Sequence, residues 1–466
     1  MKELRHNMRL IGLLVVILFI GLAAWFAMTV YTQGSIWASD VHNTRLAASN
    51  TLRGDITDRH GNLLATTAED GSRQYTQNTA ARRALSQTVG DIAGMSGVGV
   101  ETFYSSELMD ISTSLLDRLN ELFHGAEHFG SSIQLTIDGR LQAYISAQFP
   151  QGYSGAVCVI NYRTGEILAM VSKPDYDPYD IMSRSNAQVE DTAFLNRCLQ
   201  GRYTPGSVFK IVTLASALTA DPNVIGQSFN CAGTWDYETG RIVCAGNTAH
   251  GTLDLKTAFM KSCNVTFGKL AYQLGVERLK NTAELFGFNE NFKFGDFVVY
   301  NSSFPKSPSM SGLVWAGIGQ SEILVTPLHM AMIAATVANR GVMMKPMLVK
   351  RITNSLGAVV SAGQPTAYRQ VLAESVAGQI AEYMYETVQS GTATRAKIKN
   401  YTVCGKTGSA EISDNKEVET NAWFTGFLYD DAHPYAIAVV IEGGGAGARM
   451  PSELAAKSLK KAMEYE

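Results

Sequence analysis

Apolar residues are spread unevenly along the 466-residue chain, and their spacing predicts its elements. Leu10 to Tyr31 runs for 22 residues without a charge, LIGLLVVILFIGLAAWFAMTVY. At about 1.5 Å per helical residue that is about 33 Å, enough to cross the hydrocarbon core of a bilayer. From Thr51, TLRGDITDRHGNLLA places apolar residues on either side of a polar Arg59–Asn62 turn and predicts strand, turn, strand. Residues 70 to 130 mix helical stretches such as SELMDISTSLLDRLNELF with loops. SIQLTIDGRLQAYISAQF, from Ser132, predicts a strand feeding a helix, and SGAVCVINYRTGEILAMVS a hairpin that turns at Tyr162–Gly165. Helical periodicity dominates from Ser207 to about Arg340. Strands return with TVCGKTGSAE, NAWFTGFLY and YAIAVVIEG before a last helix from about Ser452. Strands at both ends of a helical middle predict an α/β domain whose antiparallel sheet joins segments distant in sequence.

Length and a 46% hydrophobic composition allow two or three domains with a large core. The net charge of −3 offers no basic excess to neutralise phosphates, so nucleic acid is excluded as the partner. The apolar run ends in Trp25, Phe26 and Tyr31, which suit a membrane interface, where a cleaved signal would end in small residues. Lys2, Arg5 and Arg9 precede it and keep that flank in the cytoplasm. The expected organisation is a cytoplasmic tail over 1–9, a single transmembrane anchor over 10–31, a small α+β accessory domain over 32–131 and a main domain over 132–466, all after the anchor being extracytoplasmic.

TPGSVFKIV, Thr204 to Val212, puts Ser207 and Lys210 at i and i+3, on one face of a helix starting near Gly206. A serine hydroxyl needs a base, and a lysine serves once burial or a second cation lowers its pKa. Pro-Gly-Ser before an apolar run is also an ordinary helix start. Two further segments change the balance. Ser262-Cys263-Asn264 opens a second helical run and offers a hydroxyl and an amide. GKTGSAE supplies Lys406, with Thr407 and Ser409 alternating on one side of a strand and Gly408 leaving room for a substrate backbone. Each alone has a structural explanation; the order S-x-x-K, S-x-N, K-T-G, separated by 55 and 144 positions, is specific to serine acyl enzymes.

With these boxes, and with RGDITDRHGNLLA, NRCLQGRYTPGSVFK, GQSEILVTPLHMA and NAWFTGF, the chain resembles the class B penicillin-binding proteins over nearly everything after the anchor. It departs from the commoner pattern at Ser409, where Thr is usual, and in carrying Cys263 inside the middle box. The resemblance implies the penicillin-binding transpeptidase fold, an antiparallel sheet flanked by helices with a helical subdomain. It also implies D,D-transpeptidation of peptidoglycan stem peptides through an acyl-enzyme on Ser207, and acylation by β-lactams. Lys210 would be the base, Ser262 and Lys406 would steer the proton, and Asn264 would hold the donor amide. Thr407, Gly408 and Ser409 would bind substrate, and the N–H groups of Ser207 and Ser409 would form the oxyanion hole. No cofactor is needed for that chemistry. A glycan polymerase in the membrane is the implied partner.

Cys231, Cys244, His250 and Cys263 follow one another at x12, x5 and x12, a donor set suited to structural zinc. A Cys231–Cys244 disulfide, with Cys263 a packed residue, is the competing reading in an oxidising compartment. Some class B members carry zinc beside the middle box, and that resemblance favours the metal. Cys158 and Cys404 lie in apolar strands and read as core, as do Met330, Met332, Met343 and Met344. HGAEH, His124 to His128, reads as solvated surface, and GGGAGARM, Gly443 to Met450, as a loop flanking the cleft. Two other functions share these boxes: a β-lactamase or carboxypeptidase that admits water, and an acylated but non-catalytic sensor or scaffold.

Overall fold

The structure is a computed structural model that describes residues 11–26, 28–29, 52–109, 130–182, 189–294, 297–410, 420–445 and 448–465. At its centre is a five-stranded, wholly antiparallel sheet, in the order Val403–Ala410, Asn421–Leu428, Tyr435–Ile441, Gly155–Asn161, Ile167–Lys173. Strands about 250 positions apart therefore pair directly, as the end-to-end pattern predicted. Successive side chains of a strand point to opposite faces, and here both faces are covered, which is why YAIAVVI and GAVCVI are apolar without alternation. Val439, Ile441, Val157 and Phe424 pack against the helices Gly139–Gln148 and Arg449–Glu464 on one face. Ala438, Val440, Cys158 and Trp423 turn to the other face, toward the helices Lys210–Ala220, Asn264–Leu285, Pro327–Ala338 and Glu374–Ser390. Asp138 caps the first of these helices through its carboxylate to the N–H groups of Arg140 and Leu141.

The strand–turn–strand over 51–65 forms as Ile56–Thr57 and Leu63–Thr67. It does not stand apart. Ile56–Thr57 pairs in parallel with Ser132–Leu135, which in turn pairs with Val349–Thr353, so one six-stranded sheet runs through the 131/132 boundary. Between them, Glu101 is fully buried and takes Arg53 and Arg73 at 2.7 Å each. The short helix Ser105–Leu108 is the described part of SELMDISTSLLDRLNELF; the remainder, with HGAEH, lies outside the described residues.

The helical middle needs a correction. Four short strands interrupt it, Ser228–Cys231 pairing with Gly251–Asp254 and Thr234–Tyr237 with Gly240–Val243. Their Cys, Gly and polar residues mask the two-residue period, and an isolated two-stranded ribbon gains little from propensity. Residues 11–26 are helical with every apolar side chain exposed. Among the described residues no helix is long and apolar enough to cross a membrane. Met330, Met332, Met343, Cys158 and Cys404 are buried, as expected of core, while Met344 is half-buried.

Candidate active site

Ser207 sits on a 3₁₀ turn, Gly206–Phe209, that leads into the helix Lys210–Ala220. The tighter turn keeps the i, i+3 relation, since side chains three apart eclipse in a 3₁₀ helix. Lys210 is fully buried, and its Nζ has four oxygen neighbours: Ser207 Oγ and Ser262 Oγ at 3.1 Å, and Ser262 O and Asn264 Oδ1 at 2.7 Å. The two shorter contacts are to pure acceptors. A neutral amine has two N–H bonds and one lone pair; those two acceptors take the N–H bonds and leave the lone pair for a serine hydroxyl. Burial supports that state, lowering Lys210 from its ordinary range to about 7. The ring of Phe267, 5.6 Å from Nζ, softens the loss of water when the group is charged.

Ser262 lies between the two lysines, because Lys406 Nζ donates to the same Oγ at 2.9 Å and to Thr407 O at 3.0 Å. Lys406 is also fully buried, and burial together with the neighbouring Lys210 pushes its pKa well below the ordinary value. Ser262 holds φ at +55°, a left-handed conformation unfavourable for a side chain. Backbone strain of that kind persists where surrounding structure over-determines it; here Lys210 grips the carbonyl and Lys406 the hydroxyl. Asn264 opens the helix Asn264–Leu285, accepts from Lys210 and donates through Nδ2 to Val243 O at 2.8 Å. One of its two Nδ2–H bonds remains for a ligand.

Lys406, Thr407, Gly408 and Ser409 occupy Val403–Ala410, the edge strand of the central sheet. Lys406 and Gly408 share the face toward the nucleophile turn, and Thr407 and Ser409 the other, as alternation requires. Thr407 Oγ1 lies 2.6 Å from Thr392 Oγ1. Gly408 carries a different constraint from the one expected. A Cβ there would come within 3.0 Å of Pro205 O and 3.1 Å of Val208 N, so the backbone it admits is the chain's own nucleophile turn. Gly319 closes the turn from the other side, accepting from Gly206 N at 2.8 Å at φ +77°, and a Cβ on it would overlap Gly206 O. Gly319→Ala is expected to slow β-lactam acylation by about 100-fold through a displacement of under an ångström. Timed labelling with a fluorescent penicillin measures it; an unchanged rate would mean the turn has slack.

Cys231, Cys244, His250 and Cys263 come together, with their ligand atoms all within 4.8 Å of one another. The nearest pairs are Cys231 Sγ–Cys244 Sγ at 3.6 Å, Cys244 Sγ–Cys263 Sγ at 3.8 Å and Cys231 Sγ–His250 Nδ1 at 3.4 Å. The cysteines are free thiols, well beyond disulfide bonding distance. Four ligands about 2.3 Å from a tetrahedral zinc hold their sulfurs about 3.8 Å apart, so the set fits that ion. Within it a hydrogen bond from Cys263 draws the Cys244 thiol down to about 7, while that contact and burial push Cys263 up to about 12. Cys263 also caps the helix Asn264–Leu285, accepting from Thr266 N and Thr266 Oγ1 at 3.4 and 3.2 Å.

The five catalytic candidates thus meet in one cleft, with the four metal candidates directly beside the middle box. Three contributors escaped the sequence reading: Val243, which orients Asn264; Trp423, whose Nε1 donates to Thr204 O at 3.1 Å; and Glu442, which accepts from Arg197 and Tyr203. NAWFTGF held the only signal for Trp423, and nothing local marked the other two.

Serine, lysine and a second lysine bridged by a hydroxyl on a sheet edge define a serine acyl enzyme of the penicillin-recognising class. The penicillin binding protein transpeptidase domain matches residues 155–464. Peptidoglycan D,D-transpeptidase PbpA of Mycolicibacterium smegmatis is 29% identical over 463 residues, 94% of each chain. PbpA of Mycobacterium tuberculosis is 31% identical over 348 residues, 70% of each. A ceftriaxone acyl-enzyme complex of penicillin-binding protein A from M. tuberculosis superposes with a TM-score of 0.81 at 26% identity, covering 89% of this chain and 99% of that one. The chain belongs to the penicillin-binding protein transpeptidase family, among its class B members.

Proposed function

We infer that this chain is a peptidoglycan D,D-transpeptidase that cross-links stem peptides and is acylated by β-lactams, with Ser207 as the nucleophile. The observation that carries the assignment of roles is Lys210 Nζ, 3.1 Å from two serine hydroxyls and fully buried. Neutral Lys210 takes the Ser207 proton as Oγ attacks the penultimate D-Ala carbonyl of a stem peptide. The developing oxyanion goes to the N–H groups of Ser207 and Ser409, donors of the kind worth a few kcal/mol each. Ser262, hydrogen-bonded to both lysines, relays the proton to the leaving D-Ala amine. Breaking that peptide bond leaves an acyl-enzyme ester and free D-Ala. An amine from a neighbouring stem then displaces Ser207, whose oxygen recovers its proton from the amine by the reverse route. Asn264 holds the donor amide, and the Thr407 and Ser409 hydroxyls on the substrate edge of the strand take its terminal carboxylate.

Residues 10–31 act as the membrane anchor, which puts the catalytic domain outside the cytoplasm; the exposed apolar helical stretch 11–26 and the basic flank support this. Residues 32–131 form the accessory domain, and anchor and accessory domain together meet a membrane-embedded glycan polymerase. Cys231, Cys244, His250 and Cys263 hold a structural zinc, which when bound supplies cross-linking of the loop and no chemistry of the reaction.

Intact mass after incubation with a penicillin tests the core of this reading. One covalent adduct on the wild type, absent from Ser207→Ala, is expected. An adduct that survives the substitution, or none on the wild type, would remove Ser207 from its role.

A further inference from the structure

The segment that delivers the nucleophile, residues 195–206, is held from several sides, and one of its tethers comes from the far end of the sequence. Tyr203 pairs with Val325 through both backbone bonds, at 2.9 and 3.0 Å. Trp423, fully buried and opposite Gly408 in the sheet, donates to Thr204 O at 3.1 Å. The Tyr203 ring meets the Trp423 ring edge-on at 6.0 Å. Glu442 follows the strand Tyr435–Ile441, one position beyond the Ala422–Ile441 pair and so next to the end of the edge strand that carries Ser409. Its Oε1 accepts from Tyr203 OH at 2.6 Å and from Arg197 Nε at 2.8 Å, a bond spanning 245 positions, while its own N–H donates to Ser154 O. Arg197 is 5% exposed at its side chain and also donates to Thr192 O at 2.8 Å.

Resting on the transpeptidase reading above, we propose that Glu442 is a positioning residue for acylation. Its carboxylate, gripping Tyr203 and Arg197 together, locks the approach segment against the sheet end and so fixes Ser207 Oγ relative to the Ser409 N–H. Neither Glu442 nor Tyr203 needs to touch substrate for this. Both act on the spacing between nucleophile and oxyanion site, a quantity that weighs on the acylation step and little on the first encounter with a β-lactam.

The test uses the full chain as wild type, Glu442→Gln, Glu442→Ala and Tyr203→Phe. Acylation by a penicillin, followed over a range of concentrations, separates the dissociation constant of the initial complex from the first-order acylation rate, with a melting scan beside it. Glu442→Ala and Tyr203→Phe are expected to lower the acylation rate about tenfold and leave the dissociation constant within about twofold. Glu442→Gln keeps an acceptor oxygen for both donors and is expected to recover most of the rate. If Glu442→Ala does not fold, Tyr203→Phe and Glu442→Gln carry the comparison. Wild-type rates in Tyr203→Phe would overturn the proposal. So would rate, affinity and melting point falling together with Gln no better than Ala, the pattern of general fold support. A wild type that is never acylated would instead sink the transpeptidase reading, and this inference with it.

Discussion

Replacing Lys210 with methionine should reduce acylation by a factor on the order of 10³ or more, since a positioned base contributes about 10²–10⁴ and no second group is poised on Ser207. Methionine fills the buried volume without restoring a lone pair. Ser262 and Lys406 remain, but Lys406 reaches Ser207 only through Ser262. The wild-type rate should rise with pH through about 7, because the base works in its neutral form and burial sets that value. Stability should move in the same direction. The unfolded lysine holds its proton up to the ordinary range near 10.5, whereas the folded one releases it from about 7. Between those values the unfolded chain binds more protons, so stability rises with pH across the window, and the burden on the folded state is greatest below it. Lys210→Met removes that burden and should melt higher than wild type at pH 7, the difference shrinking as pH rises. Rate–pH profiles and melting scans from pH 6 to 10 decide it: a flat wild-type profile would take the base role from Lys210.

The second large effect is expected at the cysteine–histidine cluster. Protein purified without chelator should carry one zinc, and Cys231→Ser, or stripping the ion, should lower the melting midpoint by about 10 °C or more, several kcal/mol being lost with such a ligand set. The rate should fall too, through a short path. Cys244 adjoins Val243, whose carbonyl holds Asn264, and Cys263 caps the helix that Asn264 begins. Loosening the cluster therefore loosens the amide that pins Lys210. A metal-free protein two hydrogens lighter than its sequence mass, with Cys231 and Cys244 joined, would replace the zinc reading with the disulfide.

Local chemistry made the catalytic residues legible. Ser207 and Lys210 are three positions apart, so geometry follows from the turn itself, and Lys406 is marked by glycines on both sides of Lys-Thr. The central sheet was legible because its strands are long and apolar. What escaped was set by tertiary pairing. Val243 belongs to a four-residue strand whose partner begins six positions after the previous strand's start, with too few residues to show a period. Glu442 looks like any polar residue ending a strand; its meaning lies in Arg197 and Tyr203, more than 230 positions away. Gly408 was read correctly as a close approach, but the partner, Pro205 and Val208, could not be known before the sheet edge was placed against the turn.

The parallel pairing of Ile56–Thr57 with Ser132–Leu135 limits how this chain can be shortened. A fragment beginning at 132 would strip one flank from an interior strand and leave a row of open amide and carbonyl groups, a template for self-association. It would also uncover Ile133 and Leu135, both fully buried in the intact chain. Soluble, monomeric enzyme is therefore to be sought by trimming upstream of Leu52, where nothing in the sheet is severed.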